Sequence, residues 1–195
     1  MAEPVPCPAP PRAELLRLVG ARLAEPWPAL RVIAEELLAA ETAIDWVAAD
    51  ARGAAVAVLV GEAGRDVESV ARALAHRAWL EPRLRAWVQL AAPGGLRPEA
   101  GVRALVLCPV FGAEAIAAAS AGGGAVSLGV YRCLRDGAGM HVLLEPVGRA
   151  PDAAGREPAA LPEPFRTRLT DRDLGLPDDE RSEVEPLASP VTARR

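Results

Sequence analysis

The chain has no lysine; all 22 of its basic residues are arginine. No step that needs a lysine amine therefore has a donor anywhere in the sequence. Histidine is nearly as scarce, with only His76 and His141, far apart in the chain. Cysteine is limited to Cys7, Cys108 and Cys133, which lack metal-ligand spacing and the even count of a disulfide framework. A zinc centre is thereby disfavoured, and the cysteines in the apolar runs, Cys108 and Cys133, read as small buried hydrophobes. No stretch reaches the ~18 uninterrupted apolar residues of a membrane-spanning helix. The N-terminal MAEPVPCPAPP lacks the basic-then-apolar order of a signal peptide, so a reducing cytoplasm is the expected compartment. Excess positive charge is missing too. A formal net charge of −4 gives no global attraction to nucleic acid or anionic membrane.

What is present suits a folded domain. Half of the 195 residues are hydrophobic (51%), enough for one core-forming unit of about 100 to 150 residues with tails. The organising stretch is TAIDWVAADARGAAVAVLVG, residues 42 to 61, which reads as two strands joined by a turn at Asp50–Gly53. Asp45 sits on the first of these strands, otherwise headed for the core, and a carboxylate there needs partners or an open cleft.

Taken in order, residues 1–11 hold five prolines and form a flexible or extended leader. Leu15, Leu16, Leu18, Val19 and Leu23 give residues 12–24 a helical stripe. Leu30, Ile33 and Leu37 predict a second helix over 29–40, with Glu35 and Glu36 on its flank. After the hairpin, Val67, Val70, Leu74 and Ala78 predict a helix over 66–79 that packs through Val67, Val70 and Leu74 and ends or kinks at Pro82. His76 falls on its outer face. Strands follow at 102–108, 126–134 and 140–145, with a short helix at 113–121 stopped by Gly122–Gly124. That glycine run is no phosphate loop, because no Gly-Lys-Ser/Thr follows it. Residues 148–195 carry ten acidic and eight basic groups, many prolines and few large apolar residues. They read as a largely disordered tail with at most a short element near 165–169. The domain, residues 12–147, is expected to be a three-layer α/β (α+β) fold around a central mixed sheet.

On these residues the chain resembles the PD-(D/E)XK, or restriction-endonuclease-like, nuclease superfamily. Members carry a helix glutamate, an "IDLVAVD..G" strand and turn, then a strand ending in "E-x-K". Glu36 matches the first, Asp45 the strand aspartate and Asp50–Gly53 the turn. The resemblance implies a restriction-endonuclease-like core over residues 29–145. It further implies a Mg²⁺ site in which paired carboxylates polarise the phosphate and the lysine activates water. Here the sequence departs: Leu59 and Gly61 stand where the glutamate and lysine belong. Glu62 lies one residue further on, and Arg65, always protonated, is a phosphate contact rather than a base.

The favoured expectation is a catalytically inactive nuclease-like domain, without cofactor, that serves as a binding or assembly module through a protein partner or self-association. The first alternative is a Mg²⁺-dependent nuclease with a rearranged site of Asp45, Glu62 and Glu36. A third reading has an unrelated interaction protein in which Asp45 is structural. Nucleic-acid binding without cleavage rests on Arg65, Arg72, Arg77, Arg83 and Arg85, interleaved with Trp79 and Trp87. The simpler account anchors both tryptophans in the core and leaves the arginines as a wet face.

Overall fold

The computed structural model describes residues 3–39, 42–90, 95–148 and the backbone of 165–166. The remaining tail, to which the disorder expectation applies, lies outside the described residues. Among the described residues, eight strands form one mixed sheet. They are β1 (Val5–Pro6), β2 (Arg31–Ala39), β3 (Thr42–Ala49), β4 (Ala55–Val60), β5 (Val102–Cys108), β6 (Val126–Asp136), β7 (Gly139–Val147) and β8 (Phe165–Arg166). The order is β1-β6-β5-β4-β3-β2-β8, with β7 along the other side of β6. β4, β5 and β6 are mutually parallel, whereas β2–β3, β3–β4 and β6–β7 are antiparallel.

Among the described residues, three α-helices cover the two faces. α1 (Arg12–Arg22) buries Leu15 and Val19 on one face against Trp46, Val56, Val58, Val60, Leu107 and Tyr131. On the opposite face, α2 (Asp66–Leu90) and α3 (Ala113–Ala121) enclose Ala55, Ala57, Leu59, Val106 and Cys108. Alternation along β4 decides the division: Val56, Val58 and Val60 point to α1, and Ala55, Ala57 and Leu59 to α2 and α3. The result is the expected mixed α/β fold, a central mixed sheet flanked by helices.

Three expectations need correction. Residues 31–39 are strand β2, not a helix. Ala, Glu and Leu favour helix intrinsically, but the antiparallel ladder to β3 overrides that preference. Leu37 is buried, Leu38 exposed and Ala39 buried, which is a two-residue period. A register shift between Val32 and Ala34 disguises this period in the first half of the strand.

Second, the helix beginning at Asp66 runs through Pro82 to Leu90. Pro82 lacks the N–H that would pair with the Ala78 carbonyl; one residue on, Arg83 Nη1 donates to the Trp79 carbonyl at 3.0 Å. The Arg83 guanidinium also lies 4.6 Å from the Trp79 ring centroid.

Third, the buried face of α2 is rotated by about one residue. Ser69, Ala73, His76, Leu80, Leu84 and Trp87 face inward, while Val67 is 42% exposed and Leu74 only half-buried. Val70 is buried as expected; His76 is a core residue rather than a surface one. Of the two forms expected for the leader, residues 5–6 take the extended one. Val5 and Pro6 pair with Arg135 and Leu134.

Candidate functional site

Asp45 lies where β3 passes the end of β4, and it is 5% exposed. Strict alternation along β3 breaks here, because Ile44 joins the α2 face and Trp46 the α1 face. Both carboxylate oxygens are engaged. Oδ1 accepts from Arg12 Nη2 at 2.6 Å, and Oδ2 accepts from the Val60 N–H at 2.7 Å. Arg12 Nη1 also donates to the Val60 carbonyl at 3.0 Å. One carboxylate and one guanidinium thus close the hydrogen bonds left open where β4 leaves the β3 ladder. Burial pushes the Asp45 carboxyl above the usual range; the Val60 N–H and the Arg12 charge oppose that shift without cancelling it.

Leu59 and Gly61, where the resemblance would place a glutamate and a lysine, have other surroundings. Leu59 is 1% exposed and packs with Val70, Ala73 and Val106 under α2. Gly61 leaves the strand with its N–H donated to the Leu107 carbonyl at 2.7 Å and its carbonyl accepting from the Tyr131 hydroxyl at 3.0 Å. A Cβ on Gly61 would overlap Ser69 Oγ and lie 2.5 Å from Cys108 Sγ. No side chain fits there unless Ser69 and Cys108 shift. Burial pushes the Cys108 thiol to about 11 and the Tyr131 hydroxyl to about 12, so both stay protonated as neutral packing and donor groups.

The other anticipated site residues do not converge on Asp45. Glu36 is on a strand, not a helix, and is exposed with a left-handed backbone (φ 53°). Glu62 is exposed on the wall of a cleft of ≈ 780 Å³ that is also lined by Arg12, Tyr131, Cys7 and Cys133. Among the described residues no three His, Cys, Asp or Glu side chains are grouped to hold a metal. The carboxylate set therefore does not fit Mg²⁺. A cation at Asp45 would have to displace Arg12 and the Val60 amide, with leucine as its neighbour instead of a second carboxylate.

Most of the arginines considered for nucleic acid are engaged along α2. Arg65 and Arg72 lie 3.8 and 2.6 Å from Glu68, and Arg77 lies 3.3 Å from Glu81 while donating Nε to the Val102 carbonyl. Arg83 is folded over Trp79, and Arg85 is exposed. Trp87 is a core anchor at 2% exposure. Arg12, Tyr131 and Ser69 were not identifiable as site residues from local pattern. Arg12 meets a partner 33 positions away, and only the folded sheet brings the two together.

No protein-family model and no curated protein matches the chain. Among solved structures it is similar to a repair endonuclease from Pyrococcus abyssi, at 13% identity and a TM-score of 0.44. The similarity covers 64% of this chain and 48% of that one, so the chain spans about half the length of that protein. No helix among the described residues is long and apolar enough to cross a membrane.

Proposed function

We propose that this is a non-catalytic domain of nuclease-like design whose role is to bind a protein partner. One observation carries the first half of the reading. The place where the superfamily motif needs a metal and a lysine is packed solid by Leu59, Ser69 and Cys108, and Asp45 is tied to Arg12 and Val60. Phosphodiester cleavage needs a preorganised cation and an oriented nucleophile, and these side chains supply neither. Asp45 acts here as a structural clamp for the end of β4.

The protein-binding half is supported by the surface beyond the strand ends. Asp66 Oδ2 accepts from the Gly112 N–H at 2.6 Å, joining the first turn of α2 to the start of α3. Val67, Val110 and Ile116, 42%, 58% and 41% exposed, all lie within four residues of that bond. Exposed apolar side chains on the segments this bond joins fit a protein surface better than a phosphate backbone. The ion pairing of the α2 arginines points the same way.

The test has two arms. In the first, Mg²⁺ or Mn²⁺ leaves the thermal midpoint of the full chain unchanged, and neither DNA nor RNA is cut. Asp45→Ala then costs about 1 to 3 kcal/mol of stability by orphaning the buried Val60 amide. Metal-dependent cleavage that Asp45→Ala abolishes would overturn the reading. In the second arm, cross-linking in native extract yields a protein complex that survives nuclease treatment and is lost in the folded Val110→Glu/Ile116→Glu variant. Complexes that disappear on nuclease treatment would shift the assignment to nucleic acid.

A further inference from the structure

Two of the three cysteines meet across strands. Val5 stands opposite Arg135 and Pro6 opposite Leu134 in the antiparallel β1–β6 pair, so the next pair inward is Cys7 with Cys133. The Cys7 N–H donates to the Cys133 carbonyl at 2.9 Å. Directly opposed residues of a hydrogen-bonded antiparallel pair have Cα atoms about 5.5 Å apart. That separation is inside the range of about 4.4 to 6.8 Å that disulfides span. The side chains share a face, because Cys7 packs on the cluster beneath α1 that contains Cys133. Both residues also line the ≈ 780 Å³ cleft, and both are free thiols. Cys7 is half-buried and Cys133 is buried, so a reagent entering the cleft meets Cys7 first. Cys108 is fully buried on the opposite face of the sheet and is no competitor.

We propose that Cys7 and Cys133 form a redox modification site, closed as a cross-strand disulfide by exchange with a low-molecular-weight disulfide of the glutathione type. The Cys7 thiolate attacks one sulfur of that reagent, forming a mixed disulfide and expelling one thiolate. The Cys133 thiolate then attacks Cys7 Sγ, forming the protein disulfide and expelling the second. The two protein protons end on the two released thiols; the protein is oxidised by two electrons and the reagent is reduced by two. The bond fastens the Pro-rich leader to β6, whose pairing there is otherwise only a few residues long. It thereby fixes one wall of the cleft beside Arg12 and Glu62.

The experiment treats the reduced full chain with excess oxidised glutathione and reads intact mass without reductant, followed by cleavage at arginine. The expected product is monomeric, has lost both thiol hydrogens, and releases residues 1–12 linked to residues 133–135. Dithiothreitol reverses it, and the thermal midpoint rises on oxidation and falls back on reduction. Cys7→Ser, a near-isosteric change at a half-buried position, gives no such product and no shift on oxidation. A stable glutathione adduct on Cys7, a covalent dimer, a link that includes Cys108, or unreacted thiols would each overturn the proposal.

Discussion

His76 is the residue whose burial has the plainest solution consequence. Its Nε2 is 2.7 Å from Thr42 Oγ1, while Nδ1 is buried with no hydrogen-bond partner among the described residues. Burial, and then the positive charge of Arg72, pushes the imidazole below its ordinary value, against a smaller opposing effect of Thr42. The unfolded chain therefore takes up a proton near pH 6.5 that the folded chain resists. The stability due to neutral His76 is complete above that pH and is lost as pH falls through the folded-state value. We expect the thermal midpoint of wild type to decline from about pH 6.5 downward. A folded His76→Gln variant should show a flatter profile over the same window, and an identical slope would remove His76 as the cause. Acidic groups contribute at lower pH: Asp136, held down by His141 and by the Ala138 and Gly139 amides, loses its contribution only as pH falls through its depressed value.

At the scale of elements, α2 provides the sharpest measurement. Leu80 is fully buried and Leu74 half-buried, although both are leucines six residues apart on one helix. Leu80→Ala should cost about 2 to 5 kcal/mol by denaturant titration. Leu74→Ala should cost clearly less, and equal costs would return the buried face to the Val67–Leu74 stripe. This element also shows what was legible in sequence. Two stripes at helical spacing coexist, one through Val67, Val70 and Leu74 and the other through Ser69, Ala73, His76 and Leu80, differing by about one residue of rotation. Hydropathy favours the first. The sheet accepts the second, because small residues at 69 and 73 let the helix approach Gly61 and β5 closely. The β3–β4 hairpin, β5, α3 and the β6–β7 hairpin were readable because their breaks are chemical: Asp50–Gly53, Gly122–Gly124 and Asp136–Gly137. β2 was not, since Glu, Ala and Leu carry helix propensity and the ladder to β3 is a tertiary fact. Asp45 was legible as a residue needing partners, and the departure of Leu59 and Gly61 from the motif the sequence resembles was equally visible. That Ser69 and Cys108 fill the space beside Gly61 was not, because contacts from three separate elements create it.

At the scale of the whole molecule, sheet order determines where stability is concentrated. β4 is central: it pairs with β3 on one side and β5 on the other, and every residue from Ala55 to Val60 is buried between α1 and α2. Both ends of that strand are also tied down. The Ala55 N–H donates to the Gly101 carbonyl at 3.1 Å, Val60 is held by Asp45 and Arg12, and Gly61 by Leu107 and Tyr131. Freeing a β4 amide therefore requires dismantling both layers, so its exchange should occur only through global unfolding. β1 differs in kind: Val5 is 60% exposed, Pro6 has no amide, and the pairing spans only a few residues. Its amides need only a local opening. Native-state hydrogen exchange on the reduced chain should accordingly place the amides of Val56 to Val60 at the slow limit, with free energies equal to that of global unfolding. Val5 and Cys7 should exchange orders of magnitude faster, by about tenfold for each 1.4 kcal/mol separating local from global opening. If β4 amides instead exchanged as fast as those of β1, the Asp45–Arg12 clamp would not be holding the centre of the sheet, and its assignment as a structural device would fail.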